Sequence, residues 1–424
     1  MAHINYVPRI RRRLHSTLES TMPMTMGGNN FAAFSGSWEQ RLSTGLQAMA
    51  RYCGRCGIVV LHNNSHMDQA LARLPEYLRS QNLGGSQFQV ISTATKNYDP
   101  LYGLEEDSIL NLLAPYQPDS PNSLAIANLR SGLSAYLAII RYHFRQNSRP
   151  FGRYPFTLDL LCELTRMPYA TLRSEVLAFL PRDLAAELET QLDRPEMQQN
   201  IYAVVGNFAS LMSKFLWTSR GFQSHSRISI TQAVESRQLI SIRLPDPQTP
   251  LLDYLETELR DLTTRGIPYL LISDSLALAN HSRLRSRFFS EHIQQNYFTG
   301  ILADSVSSVT GGVEDIVRLF SQYHQIFVYR CSSVMEAQNF TDAYGTYLRW
   351  VRENNTHASW MPLHLLPAVG DGTHHRETPE STIRPEELTH LYNGVLLCGR
   401  NYPAPNLIRN YQAFGGVYNG TLLP

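Results

Sequence analysis

The stretch Tyr269-Leu270-Leu271-Ile272-Ser273-Asp274-Ser275 decides the fold. Four consecutive apolar residues closed by a polar turn read as a strand buried on both faces, with Asp274 at its carboxyl end. Similar short runs lie outward from it at Ile58–Leu61, Phe88–Ser92, Leu239–Leu244, Gly300–Ala303 and Gln325–Tyr329. Between them, helical periodicity marks Glu39–Tyr52, Asp68–Ser80, Leu251–Arg265, Arg283–Asn296, Val313–Ser321 and Val334–Tyr344. Strands alternating with helices predict an α/β fold built on an open, mostly parallel sheet.

The pattern changes from about Ser123 to Ser219, where periodic Leu, Ala and Met are punctuated by proline. Helix starts fall at Thr157, Asp183 and Arg194-Pro195, so an all-helical insertion is expected there. The implied organisation is an N-terminal basic arm (1–20), a first core segment (21–117), the all-alpha insertion (118–224), a second core segment (225–353), and a loop with a C-terminal hairpin segment (354–424). Turn-forming residues between Asn354 and Pro379 predict the loop.

Composition narrows the function classes. The chain has 424 residues, 43% of them hydrophobic, enough for a substantial core. Its net charge of +1 argues against a protein that coats nucleic acid or anionic lipid non-specifically. Lys96 and Lys214 are the only lysines, and arginine supplies the rest of the basic charge. No run of 18 apolar residues predicts a membrane span, and Met1–Met26 lacks the apolar region of a secretory signal. Five cysteines in so long a chain do not suggest a disulfide framework. A cytoplasmic protein is the expectation.

Individual motifs are weak. Gly28-Asn29-Asn30-Phe31-Ala32-Ala33-Phe34-Ser35 aligns with the phosphate-binding pattern G-x-x-x-x-G-K-[ST]. Gly28 and Ser35 are kept, while Ala33 replaces the second glycine and Phe34 the lysine that would neutralise phosphate. Asp274 stands where a Mg²⁺-holding aspartate would follow an apolar strand, and Ser275 replaces the glutamate that would polarise water. Cys53 and Cys56 form a lone C-x-x-C without the second ligand pair that structural zinc needs, which favours two incidental thiols and no metal. His62 and His66 read as solvated loop histidines, as do His374 and His375.

In order along the chain, these pieces resemble the cytosolic domain of type IV coupling proteins, the hexameric DNA-translocating P-loop ATPases of conjugation and type IV secretion. The resemblance rests on Gly57–Leu104 with its later turn Tyr98-Asp99-Pro100-Leu101, the helical insertion, the return strand in Ile228–Leu244, Tyr269–Ser275, Tyr297–Ser321, Gln325–Tyr347 and Arg384–Tyr411. It implies a RecA-like P-loop NTPase core with an inserted all-alpha domain. It also implies partners in a translocation or secretion machine, DNA as a further partner, and a hexamer or other homo- or hetero-oligomer. The family's sensor glutamine falls near Ser305–Ser308, where none occurs. With lysine, glutamate and glutamine all replaced, the expectation is a pseudo-ATPase scaffold, docking or regulatory subunit with no required cofactor. Gly28, Ser35 and Asp274 would form a degenerate nucleotide pocket able at most to hold Mg²⁺–ATP weakly. Recruitment to a membrane assembly would then fall to a partner. Two rival expectations stand beside it: an active translocating ATPase drawing a lysine from Lys96 or Lys214, and a nucleic-acid-binding module using Arg9, Arg11, Arg12 and Arg13 as a basic arm.

Overall fold

A computed structural model describes residues 30–80, 87–114, 123–146, 156–216, 227–244, 250–279, 285, 288, 297–310, 313–359, 368–400, 402–409, 417–418 and 421–422. The chain begins β1 (Phe31–Phe34), α1 (Trp38–Tyr52), β2 (Gly57–His62), α2 (Ser65–Ser80) and β3 (Phe88–Ile91). Helices follow as α3 (Glu106–Leu113), α4 (Ser123–Gln146), α5 (Leu158–Arg166), α6 (Tyr169–Glu175), α7 (Arg182–Leu192), α8 (Pro195–Met212) and α9 (Ile230–Glu235). Alternation resumes with β4 (Leu239–Arg243), α10 (Pro250–Thr264), β5 (Tyr269–Asp274), α11 (Ser275–Ala279) and β6 (Tyr297–Ala303). The remainder is α12 (Val313–Gln322), β7 (Gln325–Val328), α13 (Val334–Tyr344), β8 (Thr346–Ser359), β9 (Ala368–Ser381), α14 (Pro385–Thr389), β10 (Gly394–Gly399) and β11 (Tyr402–Arg409), with two-residue strands at Val417–Tyr418 and Thr421–Leu422.

Two compact units emerge. Among the described residues, the first joins 30–41 with those from 303 to 409, and the second joins those from 42 to 302 with 417–418 and 421–422. In the first, the strand order is β11-β10-β7-β1. β1 runs parallel to β7, with Phe31 opposite Gln325 and Phe34 opposite Val328, while β10 pairs antiparallel with both β7 and β11. All four residues of β1 are buried, as a strand covered on both faces requires. The Phe34 ring meets Phe340 of α13 edge-on at 6.2 Å, and Phe320 of α12 meets Phe340 at 5.7 Å. Aromatic pairs of this geometry add roughly 0.5–1.5 kcal/mol beyond the area they bury.

The second unit holds β6-β5-β2-β4-β3, all parallel. GIVVLH of β2 is buried throughout, as are the first five residues of β5. The helical insertion belongs to this same compact unit, and among the described residues no sheet strand falls between 130 and 215. Its core is Leu133, Leu137, Leu161, Leu172, Leu188, Ile201, Val204 and Phe208, all buried. Each such side chain contributes about 1.5–3 kcal/mol of transfer free energy. Gly132 lets α4 and α8 touch: a Cβ there would sit 2.3 Å from Ile201 Cδ1. Pro195 opens α8 at its first turn, where its missing N–H is no loss.

One sequence expectation needs correction. The segment from Asn354 to Pro379 is largely β8 and β9, a two-stranded antiparallel ribbon with Thr346 opposite Ser381 and Ser359 opposite Ala368. Asn354-Asn355 and Gly370-Asp371-Gly372 suggested turns, and no apolar alternation revealed the ladder that backbone hydrogen bonds form there. Among the described residues the strand order opens with Phe31–Phe34.

Candidate functional site

The β1–α1 connection of the first unit is three residues long, Ser35-Gly36-Ser37. Phe31 to Phe34, expected as part of an eight-residue phosphate loop, are strand residues instead. Phe34 is therefore a fully buried core side chain and does not occupy a lysine position in a loop. The turn is tight, with Ser35 at φ +61° and Gly36 at φ +65°. A Cβ at Gly36 would lie 2.5 Å from Tyr329 Cβ, so only glycine fits.

Every backbone donor of this turn is bonded within the protein. Ser35 N–H donates to the Ala303 carbonyl (3.1 Å) and Gly36 N–H to the Arg330 carbonyl (2.9 Å). Ser37 N–H donates to Gln40 Oε1 (2.9 Å). The Ser35 hydroxyl, expected to face Mg²⁺, is buried and donates to Glu336 Oε1 at 2.8 Å. The same carboxylate oxygen accepts the Val306 N–H at 3.0 Å, and Cys331 Sγ lies 3.7 Å from the Ser35 hydroxyl oxygen. Burial pushes the Cys331 thiol up to about 12, so it is not a nucleophile. Arg41 donates from Nη1 to the Ser35 and Gly36 carbonyls, closing the turn from the other side.

Glu336 was not singled out from sequence, although it carried a signal. Ser333-Val334-Met335-Glu336 has the S-x-x-E spacing of a helix capping box. Ser333 Oγ does accept the Met335 N–H (3.2 Å), but the buried Glu336 carboxylate goes to Ser35 and Val306. Val306 opens the short turn Val306–Ser308, in the region expected to carry a sensor; there Ser305 Oγ accepts the Ser308 N–H.

In the second unit, Asp274 ends β5 and Ser275 begins α11. Asp274 Oδ2 accepts the Asn63 N–H at 3.1 Å and so fixes the exit of the neighbouring β2. Beside it, His62 differs from its reading as a solvated loop histidine. It is the last residue of β2 and fully buried. Its Nε2 lies 2.6 Å from Ser241 Oγ and 3.1 Å from Asp68 Oδ1, while Nδ1 accepts the Asn64 N–H. That acceptance places the proton of the neutral ring on Nε2. Ser241 Oγ in turn donates to Asp68 Oδ1 at 2.5 Å, and Arg243 Nη1 lies 3.2 Å from Asp68 Oδ2. Burial works to raise the Asp68 carboxyl, but the His62, Ser241 and Arg243 contacts outweigh it and hold the group below its usual range. Histidine, serine and aspartate meet here without forming a nucleophilic relay. Both the ring and the hydroxyl donate towards the carboxylate, which leaves no base on the serine.

Other candidates disperse. Lys96 is exposed in the turn after β3 and Lys214 is exposed beyond α8; both belong to the second unit, whereas the Ser35 turn belongs to the first. Cys53 and Cys56 follow α1 as buried free thiols, and burial raises Cys56 to about 12. Among the described residues no cluster of metal-ligating side chains occurs, and no helix is long and apolar enough to cross a membrane. Gly28 and the arginines at 9, 11, 12 and 13 lie outside the described residues.

No protein-family model and no curated protein matches the sequence. Among solved structures the chain is similar to the bacterial conjugative coupling protein TrwBdeltaN70 in its unbound monoclinic form (11% identity, TM-score 0.44, 93% of this chain and 87% of that one). It is also similar to TrwB in complex with a non-hydrolysable GTP analogue (11% identity, TM-score 0.35, 85% and 86%). A third likeness is to VirB4 of Thermoanaerobacter pseudethanolicus (10% identity, TM-score 0.41, 92% and 91%).

Proposed function

We propose that this chain is a non-catalytic, coupling-protein-like subunit: a RecA-like α/β scaffold that docks or regulates other components of a conjugation or type IV secretion-like machine. One observation carries the reading. The turn that should cradle phosphates offers neither an unbonded backbone N–H nor a lysine, and its hydroxyl is bonded to Glu336. Phosphoryl transfer depends on positioning and charge stabilisation, which such a turn does not supply. Mg²⁺–ATP does not fit it without breaking these bonds, and no catalytic step is assigned. The helical insertion serves as the recognition surface, and assembly into an oligomer supplies the scaffold.

Steady-state ATPase activity with and without DNA tests this, with Asp274→Ala as the control. The expected result is background turnover in both proteins. Turnover near 1 s⁻¹ or above that disappears in Asp274→Ala would reject the proposal, since roughly that rate marks the lower range of working enzymes.

A further inference from the structure

In the first unit, α12 ends just before β7 and α13 starts just after it, so both helices run antiparallel to β7 and their first turns share its carboxyl end. Their later turns are joined by aromatic rings: Phe320 lies 5.7 Å from Phe340 and 4.9 Å from Tyr344. Val313, Val317 and Phe320 fall at i, i+4 and i+7 and form one stripe, so the stripe follows the side of α12 that meets α13. Towards the first turn that stripe is uncovered, with Val313 and Val317 both exposed. The first turn of α13 continues the surface with Val334, 68% exposed, and Met335, 73% exposed.

Beyond α13 the same edge runs on to α14. Cys331 N–H donates to the Leu388 carbonyl (3.1 Å) and Arg330 Nε to the Thr389 carbonyl (3.0 Å). Tyr392, just past α14, is exposed, and the Arg330 guanidinium lies 4.2 Å over its ring. Single exposed apolar residues are ordinary, but here five line one edge of one unit. Methionine, tyrosine and arginine are also the types enriched where protein interfaces are buried.

The charges at the two ends differ in sign. At the α12 end stands Glu314, exposed and without an ion pair among the described residues, next to Asp315, which lies 3.9 Å from Arg318. At the Tyr392 end stands Arg330, exposed, whose contacts are a carbonyl and a ring and include no carboxylate. A half-turn about an axis near Met335 therefore lays each end on its opposite charge, twice over. A partner of uniform charge would meet repulsion at one end.

We propose that this edge is a two-fold interface between two copies of this chain, in which Val334 and Met335 pack against their counterparts and Arg330 of each copy meets Glu314 of the other. A self-complementary patch of this kind closes at two copies. The contact deepens the oligomeric part of the scaffold reading above and rests on it. ATP turnover separates the two: a chain that pairs and also hydrolyses ATP keeps the interface and loses the non-catalytic reading, while a silent monomer does the reverse.

Sedimentation velocity of the full-length chain between about 1 and 100 µM tests the proposal. The mass should rise to that of two copies over this range. Met335→Asp should leave a monomer throughout; the residue is mostly exposed, so its far-UV circular dichroism should match that of the unaltered chain. Arg330→Glu and Glu314→Arg should each weaken pairing about tenfold or more, because each sets like charges together at both ends. The double variant Arg330→Glu/Glu314→Arg should recover pairing to within about threefold of the unaltered chain. A chain that stays monomeric at the top of the range, pairing that survives Met335→Asp, or a double variant no better than the singles would overturn the proposal.

Discussion

Replacing Glu336 by alanine leaves two buried donors, the Ser35 hydroxyl and the Val306 N–H, facing the space their shared acceptor held at 2.8 and 3.0 Å. Hydrogen bonds to a charged acceptor contribute about 1.5–3 kcal/mol each, and each orphaned buried donor costs about 1–3 kcal/mol. Partial hydration of the vacated site offsets some of this, so Glu336→Ala is expected to destabilise the protein by about 2–4 kcal/mol. Glu336→Gln keeps an oxygen in place and should cost about 1 kcal/mol. Ser35→Ala removes one donor together with its demand, so the double variant should show about 1–2 kcal/mol of coupling with Glu336→Ala. Urea unfolding followed by tryptophan fluorescence measures the four variants against the unaltered protein. A Glu336→Ala cost below about 0.5 kcal/mol, or additivity with Ser35→Ala, would refute the role of this carboxylate as the internal ligand of the turn.

Two further outcomes are expected. Placing a lysine at the end of β1 with Phe34→Lys should yield no ATPase activity and should lower the thermal midpoint steeply. It deletes a core ring, a loss of about 3–5 kcal/mol, and buries a charge in β1. A thiol reagent such as Ellman's at pH 8 should modify half-buried Cys162 first in the native protein, leave buried Cys56, Cys331 and Cys398 unmodified for far longer, and reach all five in urea.

Legibility in the sequence followed the strength of the apolar signal. IVVL of β2, LISI of β4 and LLIS of β5 are continuous runs and appear as strands where expected. Pro195, as a first-turn residue, marked the start of α8 correctly. β1 was harder, because FAAF is four residues long with two alanines, and Gly27-Gly28-Asn29-Asn30 in front of it invites a glycine-rich loop alignment. That alignment carried Phe34 and Ser35 into a phosphate site, whereas the chain puts one into the core and bonds the other to Glu336. The partners that define the site come from far along the chain: Glu336 meets Ser35 across 301 positions, and Ser241 meets His62 across 179. No local pattern encodes such pairs.

The pairing of β1 with β7 also sets a timetable for synthesis. Phe31–Phe34 leaves the ribosome with its neighbour still about 294 residues from being made. At roughly 5–20 residues per second that is a wait of about 15–60 s. β2 waits likewise for β4 and β5, while α4 to α8 can close on one another as soon as they emerge, because their contacts are local. The helical insertion is thus the first piece able to fold. Of the described strands, β1 has the longest interval between its own synthesis and that of a pairing partner, and through that interval its apolar residues have no sheet to join.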